Sequence, residues 1–332
     1  MSQDFWSNKR VLVTGAGGFI GSHLVETLLR KGAQVRALVR YNSRNDPGLV
    51  RFLPAEIVSN LELLAGDIRD LAAVQKAMVS VTHVFHLGAL IAIPYSYLHP
   101  AEVVETNVMG TLNVLLAAQA AGVERLVHTS SSEVYGTALQ VPIDENHPLQ
   151  GQSPYSASKI GADKLAESFF CAYNLPVVTL RPFNTFGPRQ SARAVIPTMI
   201  MQALTQSVIR LGNLDTSRDF TYVLDTVAGF LKVGQTNGVE GKTINLGTGQ
   251  EIRVGELAQK IISLVGKPVR IQIDPARLRP EKSEVQRLVS NNQMARKLIA
   301  WQPEVAFEEG LQNTIDWVDE HISLYSPDRY VV

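Results

Sequence analysis

The chain has 332 residues, 31 lysines and arginines balanced by 31 aspartates and glutamates, and 45% hydrophobic residues. That apolar fraction fills the core of one large domain or two modest ones. Zero net charge gives no electrostatic footprint for nucleic acid or an anionic membrane, and no run of about 18 apolar residues offers a membrane span. A single cysteine, Cys171, excludes an intrachain disulfide and a CxxC-type zinc site, and fits a reducing, cytoplasmic setting. The polar opening MSQDFWSNKR lacks the pattern of a signal peptide.

Along the first half, β-branched runs alternate with longer amphipathic stretches. Residues 11–14, 35–39, 61–65, 81–86, 125–129 and 177–180 read as strands. Between them, 19–31, 71–79, 101–121 and 154–173 carry apolar residues at helical spacing. Near-continuous apolar strands alternating with helices predict an α/β, Rossmann-type doubly wound parallel sheet covered on both faces. After residue 182 the rhythm changes. A turn-rich stretch, RPFNTFGPRQS, precedes a helix over 192–206, a strand over 208–211, a helix over 223–233 and a strand over 243–246. Helices near 254–265, 291–300 and 307–320 complete a smaller α/β lobe. The expected division is a dinucleotide-binding domain over 1–182 with returns near 219–250, and a substrate lobe over 183–218 and 251–332. No low-complexity linker separates them, so a ligand cleft between the two is expected.

Residues 11–21 read VLVTGAGGFIG, a strand running through Gly15, Gly18 and Gly21 into a helix that Phe19 and Ile20 open. Gly15 permits the tight turn, Gly18 lets backbone approach a pyrophosphate, and Gly21 lets the helix sit close to the strand. The phosphates would rest on the amides of the helix start. The second strand ends without an acidic residue to hold the ribose of NAD. Arg40, Ser43 and Arg44 stand there instead and favour the 2′-phosphate of NADP; the plain alternative is a pair of solvated loop arginines, and NAD stays open. Asp67 and Ile68 follow the third strand, where an adenine contact is expected. Leu87, Gly88 and Ala89 follow the fourth, on the pyrophosphate and ribose side.

The fifth predicted strand runs into Ser131, Ser132 and Glu133, and a helix begins near Tyr155 and Lys159, four residues apart on one face. A free tyrosine, with a pKa of about 10, is a poor base at neutral pH. A neighbouring ammonium favours its phenolate, so the pair can shuttle protons. A serine hydroxyl after the fifth strand can hold a substrate oxygen beside them. His23 and His83 lie inside regular elements and read as structural, no metal-ligand spacing occurs, and Cys171 in SFFCAY reads as core.

Taken together, TGAGGFIG, GDIRD, HLGA, SSSEVYG, YSASK, RPFNTFGPR, RDFTYVLD and INLG resemble the extended short-chain dehydrogenase/reductase family, specifically its nucleotide-sugar epimerases and dehydratases. The resemblance covers nearly the whole chain. It implies a nucleoside-diphosphate sugar between the lobes, hydride transfer at sugar C4, a tightly bound cofactor regenerated at each turnover, and a homodimer through a four-helix bundle built by the 101–121 and 154–173 helices. It also implies that Ser131 binds the C4 oxygen, Glu133 removes the C5 proton, and Ser132 assists proton delivery to the C6 hydroxyl. A serine is a weak general acid, so Glu133 or a water would serve in both proton steps. Asn184 would touch the substrate, and Arg218 and Arg279 would clamp the diphosphate, as arginine does through paired donors. Arg189 and Arg193 are further candidates, and Ser96 and Tyr97 would touch the sugar. The stretches LIAIPYSY, VPIDENHPLQGQSPYSASKIGAD and RLRPEKSEV are most similar to the dehydratase subfamily of bacterial legionaminic acid biosynthesis, which implies GDP-N-acetylglucosamine as substrate. A 4-epimerase and a uronic-acid decarboxylase share the first step and remain alternatives. A non-catalytic redox-sensing protein commonly loses the Tyr/Lys pair that this chain keeps.

Overall fold

The alternating runs become alternating elements. The computed structural model describes residues 4–325; the outer ends of the two predicted spans, 1–3 and 326–332, lie outside the described residues. The first half comprises β1 (Arg10–Thr14), α1 (Phe19–Arg30), β2 (Gln34–Arg40), β3 (Leu61–Gly66), α2 (Leu71–Met78), β4 (His83–His86), α3 (Ile93–Leu98), α4 (Pro100–Val104), α5 (Gly110–Ala121), β5 (Arg125–Thr129), α6 (Pro154–Tyr173) and β6 (Val177–Pro182). The second half adds β7 (Asn184–Phe186), α7 (Val195–Thr205), β8 (Val208–Leu211), β9 (Ser217–Arg218), β10 (Phe220–Tyr222), α8 (Val223–Gln235), β11 (Thr243–Leu246), β12 (Ile252–Arg253), α9 (Val254–Val265), β13 (Arg270–Ile273), β14 (Arg287–Leu288), α10 (Gln293–Ile299) and α11 (Phe307–Glu320).

Seven strands form one parallel sheet in the order β3-β2-β1-β4-β5-β6-β11, the expected doubly wound arrangement. Central strands β1, β4, β5 and β6 are buried almost throughout because helices cover both faces. On one face Leu24 and Leu28 of α1 and Phe230 of α8 meet Trp6 and Phe85; on the other, Val114 and Phe169 meet Leu12 and Leu126. Each such buried side chain contributes roughly 1.5–3 kcal/mol. The register sets Thr14 beside His86 and Thr129 beside Leu180, so the strands end together at one edge, where ligands of such sheets bind.

The helix expected over 101–121 is broken. A π-helical turn, Glu105–Met109, separates α4 from α5. Its cause is Asn107, which is buried: its amide oxygen accepts from Leu90 N at 2.8 Å, and its amide nitrogen donates to Leu90 O and Ser158 Oγ, both at 2.9 Å. The extra residue turns Asn107 inward, as π-bulges do near functional sites. Of these short strands, β8 was expected over 208–211, whereas its partner β13, the β7–β10 pair, and β9 with β12 and β14 left no signal in the sequence, because runs of two to four residues show no periodicity. Cys171, expected in the core, is exposed. The buried stripe of α6 runs through Ala162, Ala166 and Phe169, and residue 171 falls outside it. Among the described residues no helix is long and apolar enough to cross a membrane, and no group of three or more His, Cys, Asp or Glu could hold a metal ion.

Candidate active site

The strand ends open into a cleft of about 900 Å³. At one end Gly15, Gly18, Phe19, Ile20 and Gly21 line it, with Arg40, Ser43 and Arg44 after β2 and Leu87 and Ala89 after β4. Gly15 has φ +69°, and a Cβ there would lie 2.8 Å from the 87–88 peptide; a Cβ on Gly21 would lie 2.3 Å from Gly15 O. No side chain caps α1 and no acidic residue sits in its first turn, so its N-terminus presents backbone donors and positive potential to the cleft. This cradle fits a dinucleotide pyrophosphate. Arg40 keeps a 3.6 Å pairing with Glu102, and Asn42 Oδ1 folds the loop by accepting from Arg44 N and Asp46 N. Gly88 N donates to Thr14 Oγ1 behind the lining. Asp67 and Ile68 do not line the cleft: Asp67 is paired with Arg69 at 2.7 Å, and Ile68 packs against Gly88 and Gly110.

At the other end stand Ser131, Glu133, Tyr155, Phe183, Asn184, Gln190, Arg193 and Arg279. Ser131 caps a 3₁₀ turn, Ser132–Tyr135, its hydroxyl accepting from Glu133 N at 3.2 Å. Tyr155 sits in the first turn of α6, which a Ser153–Ser156 capping box and Pro154 nucleate. Burial pushes the Tyr155 phenol up to about 12; a hydrogen bond with Ser131 opposes this and the charge of Glu133 adds to it. Lys159 is not among the groups that act on the phenol, so the lowering expected from the sequence does not appear in the chain by itself. Lys159 lies beneath the cleft, 4% exposed, with Nζ donating to Thr129 O at 2.6 Å, and burial lowers its ammonium to about 8 against the charge of Asp163. Ser132 is buried and does not line the cleft.

Four buried polar atoms at the lining make no hydrogen bond among the described residues: Thr129 Oγ1, Asn184 Nδ2, Gln190 Oε1 and Arg279 Nη1. Leaving such groups unpaired is costly, so they mark the seat of a polar ligand. Arg218 stands behind the lining, where burial lowers its pKa. Its Nη2 lies 3.7 Å from Glu284 Oε1, and Arg279 Nη1 lies 3.8 Å from the same oxygen. Arg189 turns away to Glu26 at 2.6 Å, next to His23, whose Nε2 meets Pro188 O at 2.9 Å. His83 is likewise buried, edge-on to Trp6. Ser96 is fully buried, its hydroxyl donating to Ile93 O at 2.7 Å, so it does not reach the cleft. Tyr97 OH bonds Ser283 Oγ at 2.7 Å and does not line the cleft. Gln190 and the 47–48 turn, which joins the lining by packing Gly48 against Gly17 O, carried no local signal beyond a Pro-Gly dipeptide.

Comparison with known proteins agrees with this arrangement. The family model described as GDP-mannose 4,6 dehydratase matches residues 12–314. The chain is 33% identical over 323 residues to a UDP-glucose 4-epimerase of Mycolicibacterium smegmatis (93% of this chain, 98% of the relative). It is 32% identical over 318 residues to the dTDP-D-glucose 4,6-dehydratase of Mus musculus (93% of this chain, 88% of the relative). UDP-glucuronic acid decarboxylase 1 of Danio rerio is also among its relatives. The crystal structure of DesIV, a dTDP-glucose 4,6-dehydratase from Streptomyces venezuelae with NAD and TYD bound, superposes with a TM-score of 0.85 at 29% identity, covering 96% of this chain and 99% of that one.

Proposed function

We propose, from the premise that the chain belongs to the family of NAD-dependent nucleotide-sugar epimerases and dehydratases, that it is a 4,6-dehydratase converting GDP-N-acetylglucosamine to the 4-keto-6-deoxy sugar. The observation that carries this reading is the meeting of Ser131, Glu133 and Tyr155 at one end of a single cleft, with Ser131 hydrogen-bonded to the phenol and Glu133 charged beside it. A 4-epimerase only removes and returns the C4 hydride and has no use for that carboxylate.

A nicotinamide cofactor, when bound, supplies a hydride acceptor beside C4, a positive charge near the phenol, and the same hydride for C6. Ser131 holds the C4 oxygen while Tyr155, with Lys159 beneath it, takes the hydroxyl proton. The C4 ketone acidifies C5–H. Glu133 takes that proton and hands it to the departing C6 hydroxyl, a double role that follows from the burial of Ser132. C5 regains a proton as hydride reaches C6, and the proton held by Tyr155 closes the balance. Asn184, Gln190, Arg193 and Arg279 face the nucleotide sugar, with Arg218 supporting Arg279 through Glu284.

Arg40, Ser43 and Arg44 in the lining support NADP, while the DesIV structure holds NAD, so the cofactor is assigned as NADP or NAD, with NADP preferred. The described parts of 1–182 and 219–250 are assigned to the cofactor half, and those of 183–218 and 251–332 to the substrate half. Exposed Val104, Met109 and Leu116 on the α4–α5 segment support a homodimer through that segment and α6. The sequence resemblance supports a cytoplasmic place in legionaminic acid biosynthesis.

The test is to incubate the protein separately with GDP- and UDP-N-acetylglucosamine and weigh the products. Loss of one water from the GDP sugar is the expected result. An unchanged mass with altered stereochemistry would make it an epimerase, and loss of carbon dioxide from a uronic-acid nucleotide a decarboxylase. Glu133→Gln is expected to stop product formation while reduced cofactor still accumulates; near wild-type turnover would remove Glu133 from its role.

A further inference from the structure

Asp163 lies one helical turn beyond Lys159, so Tyr155, Lys159 and Asp163 succeed one another at intervals of four along one face of α6. Asp163 is 4% exposed and does not line the cleft. Its oxygens gather donors from two strands: Oδ1 meets His128 Nε2 at 3.1 Å, while Oδ2 accepts from Ser130 Oγ at 2.7 Å and from Arg181 Nη2 and Nε at 2.9 and 3.2 Å. Arg181 continues to Tyr135 OH at 2.9 Å, and that hydroxyl donates to Asn245 Oδ1 at 2.8 Å. His128 and Ser130 bracket Thr129, whose carbonyl receives Lys159 Nζ at 2.6 Å, and the residue after Ser130 is Ser131. One buried carboxylate thus ties the strand end that leads to Ser131 to the helix that carries Tyr155.

We propose that Asp163 is a positioning residue for the reaction: its buried carboxylate keeps Lys159 an ammonium beneath Tyr155 and sets Ser131 against the phenol. The proposal rests on the reading of the cleft given above. A buried ammonium stripped of water needs a countercharge, and a buried carboxylate persists only when donors satisfy it. Among the described residues, the titratable and charged groups whose interaction with Lys159 is resolved are Asp163 on α6, His86 on β4 and His128 on β5; Tyr155 stands one turn before Lys159 on α6, and Arg181 on β6 pairs with the far side of Asp163. Burial lowers both histidines, which stay neutral, and Tyr155 is a phenol, so Asp163 is the one anion of this set. Burial works against the Asp163 charge as well. The hydrogen bonds of His128 and Ser130 and the charge of Arg181 outweigh it and hold the carboxyl below its usual range. Glu133 acts on the phenol from the cleft side.

Removing this anion destabilises the neighbouring ammonium and lowers the pKa of Lys159. Removing Arg181 leaves the anion less compensated and raises it. The test follows the ¹³Cε resonance of Lys159 in the full-length protein, assigned by its loss in Lys159→Arg, beside the pH profile of kcat/KM for the cleft's substrate. In Asp163→Asn the Lys159 titration is expected to fall by about one pH unit or more, with the alkaline limb of kcat/KM moving the same way. Arg181→Gln is expected to move both in the opposite direction, and it carries the test if Asp163→Asn does not fold. Asp163→Glu, which keeps the charge, is expected to restore the wild-type titration. A Lys159 titration unmoved in the folded variants, even with activity lost, would overturn the proposal, because a merely structural role lowers kcat without displacing either limb. Lys159 shifts of the expected signs in a protein that turns over no nucleotide sugar would uphold the network and sink the functional reading instead.

Discussion

Replacing Lys159 with methionine is expected to stabilise the protein near neutrality while abolishing its activity. The ammonium is buried and donates to Thr129 O. Burial is the larger influence on its pKa, which drops from 10.5 to about 8, and Asp163 opposes the drop. At 1.36 kcal/mol per pH unit, keeping the charge inside costs about 3 kcal/mol of folding free energy. Methionine fills a similar volume without charge and forfeits one hydrogen bond, worth about 1 kcal/mol, while Asp163 keeps Arg181 as its partner. The net gain is therefore about 2 kcal/mol at neutral pH. Its sign changes with pH. Between about 8 and 10.5 the unfolded wild-type chain holds a proton that the folded chain has released, so wild-type stability rises across that window. The mutant lacks this slope, and its advantage should vanish by about pH 10. Urea unfolding of both proteins at about pH 7 and about pH 10 reads the difference directly. A mutant destabilised by the same amount at both pH values would refute the reasoning.

A Cβ on Gly21 would sit 2.3 Å from Gly15 O, so Gly21→Ala is expected to deform the phosphate cradle and weaken cofactor affinity at least about tenfold in a fluorescence titration; unchanged affinity would remove the α1 N-terminus from the cofactor site. Burial is the largest cause that lowers His23 and His83 from 6.5 to about 4. In that window the unfolded chain binds protons the folded chain refuses, so stability should fall as pH drops from 6.5 to 4, by up to about 3 kcal/mol for each histidine. Denaturant midpoints that stay level across this range would contradict both assignments. Asn107→Ala removes the side chain that holds Leu90 and Ser158 in the π-helical turn, and a loss of about 2–4 kcal/mol is expected in thermal unfolding. A change within about 0.5 kcal/mol would show that the turn holds without it.

The alternation of strands and helices and the glycine turn were legible in the chain because their signals are local. A period, a dipeptide or a spacing of four specifies them without reference to distant residues. The same holds for the placing of Ser131, Glu133 and Tyr155 at strand and helix starts, since SSSEVYG and YSASK each lie within a few residues. Locality also explains the errors. Ser96 shares a segment with cleft residues Ile93 and Pro94, but whether it faces the ligand or the core depends on how a one-turn-and-a-half helix docks, and it docks with Ser96 inside. Cys171 sits in an apolar hexamer, yet the neighbours of α6 cover only one stripe, and residue 171 lies off it. The sequence by itself therefore determined the elements, their order and the chemistry-bearing side chains. Only the tertiary structure decided which of these meet. Parallel register across β5 and β6 brings His128, Ser130 and Arg181 around Asp163, and the return of the 274–284 segment brings Arg279 to the cleft and Glu284 beside Arg218. The contacts of Asp163 and of Arg218 with Glu284 join residues 18 to 66 positions apart, whose meeting depends on packing and strand register that no local pattern encodes.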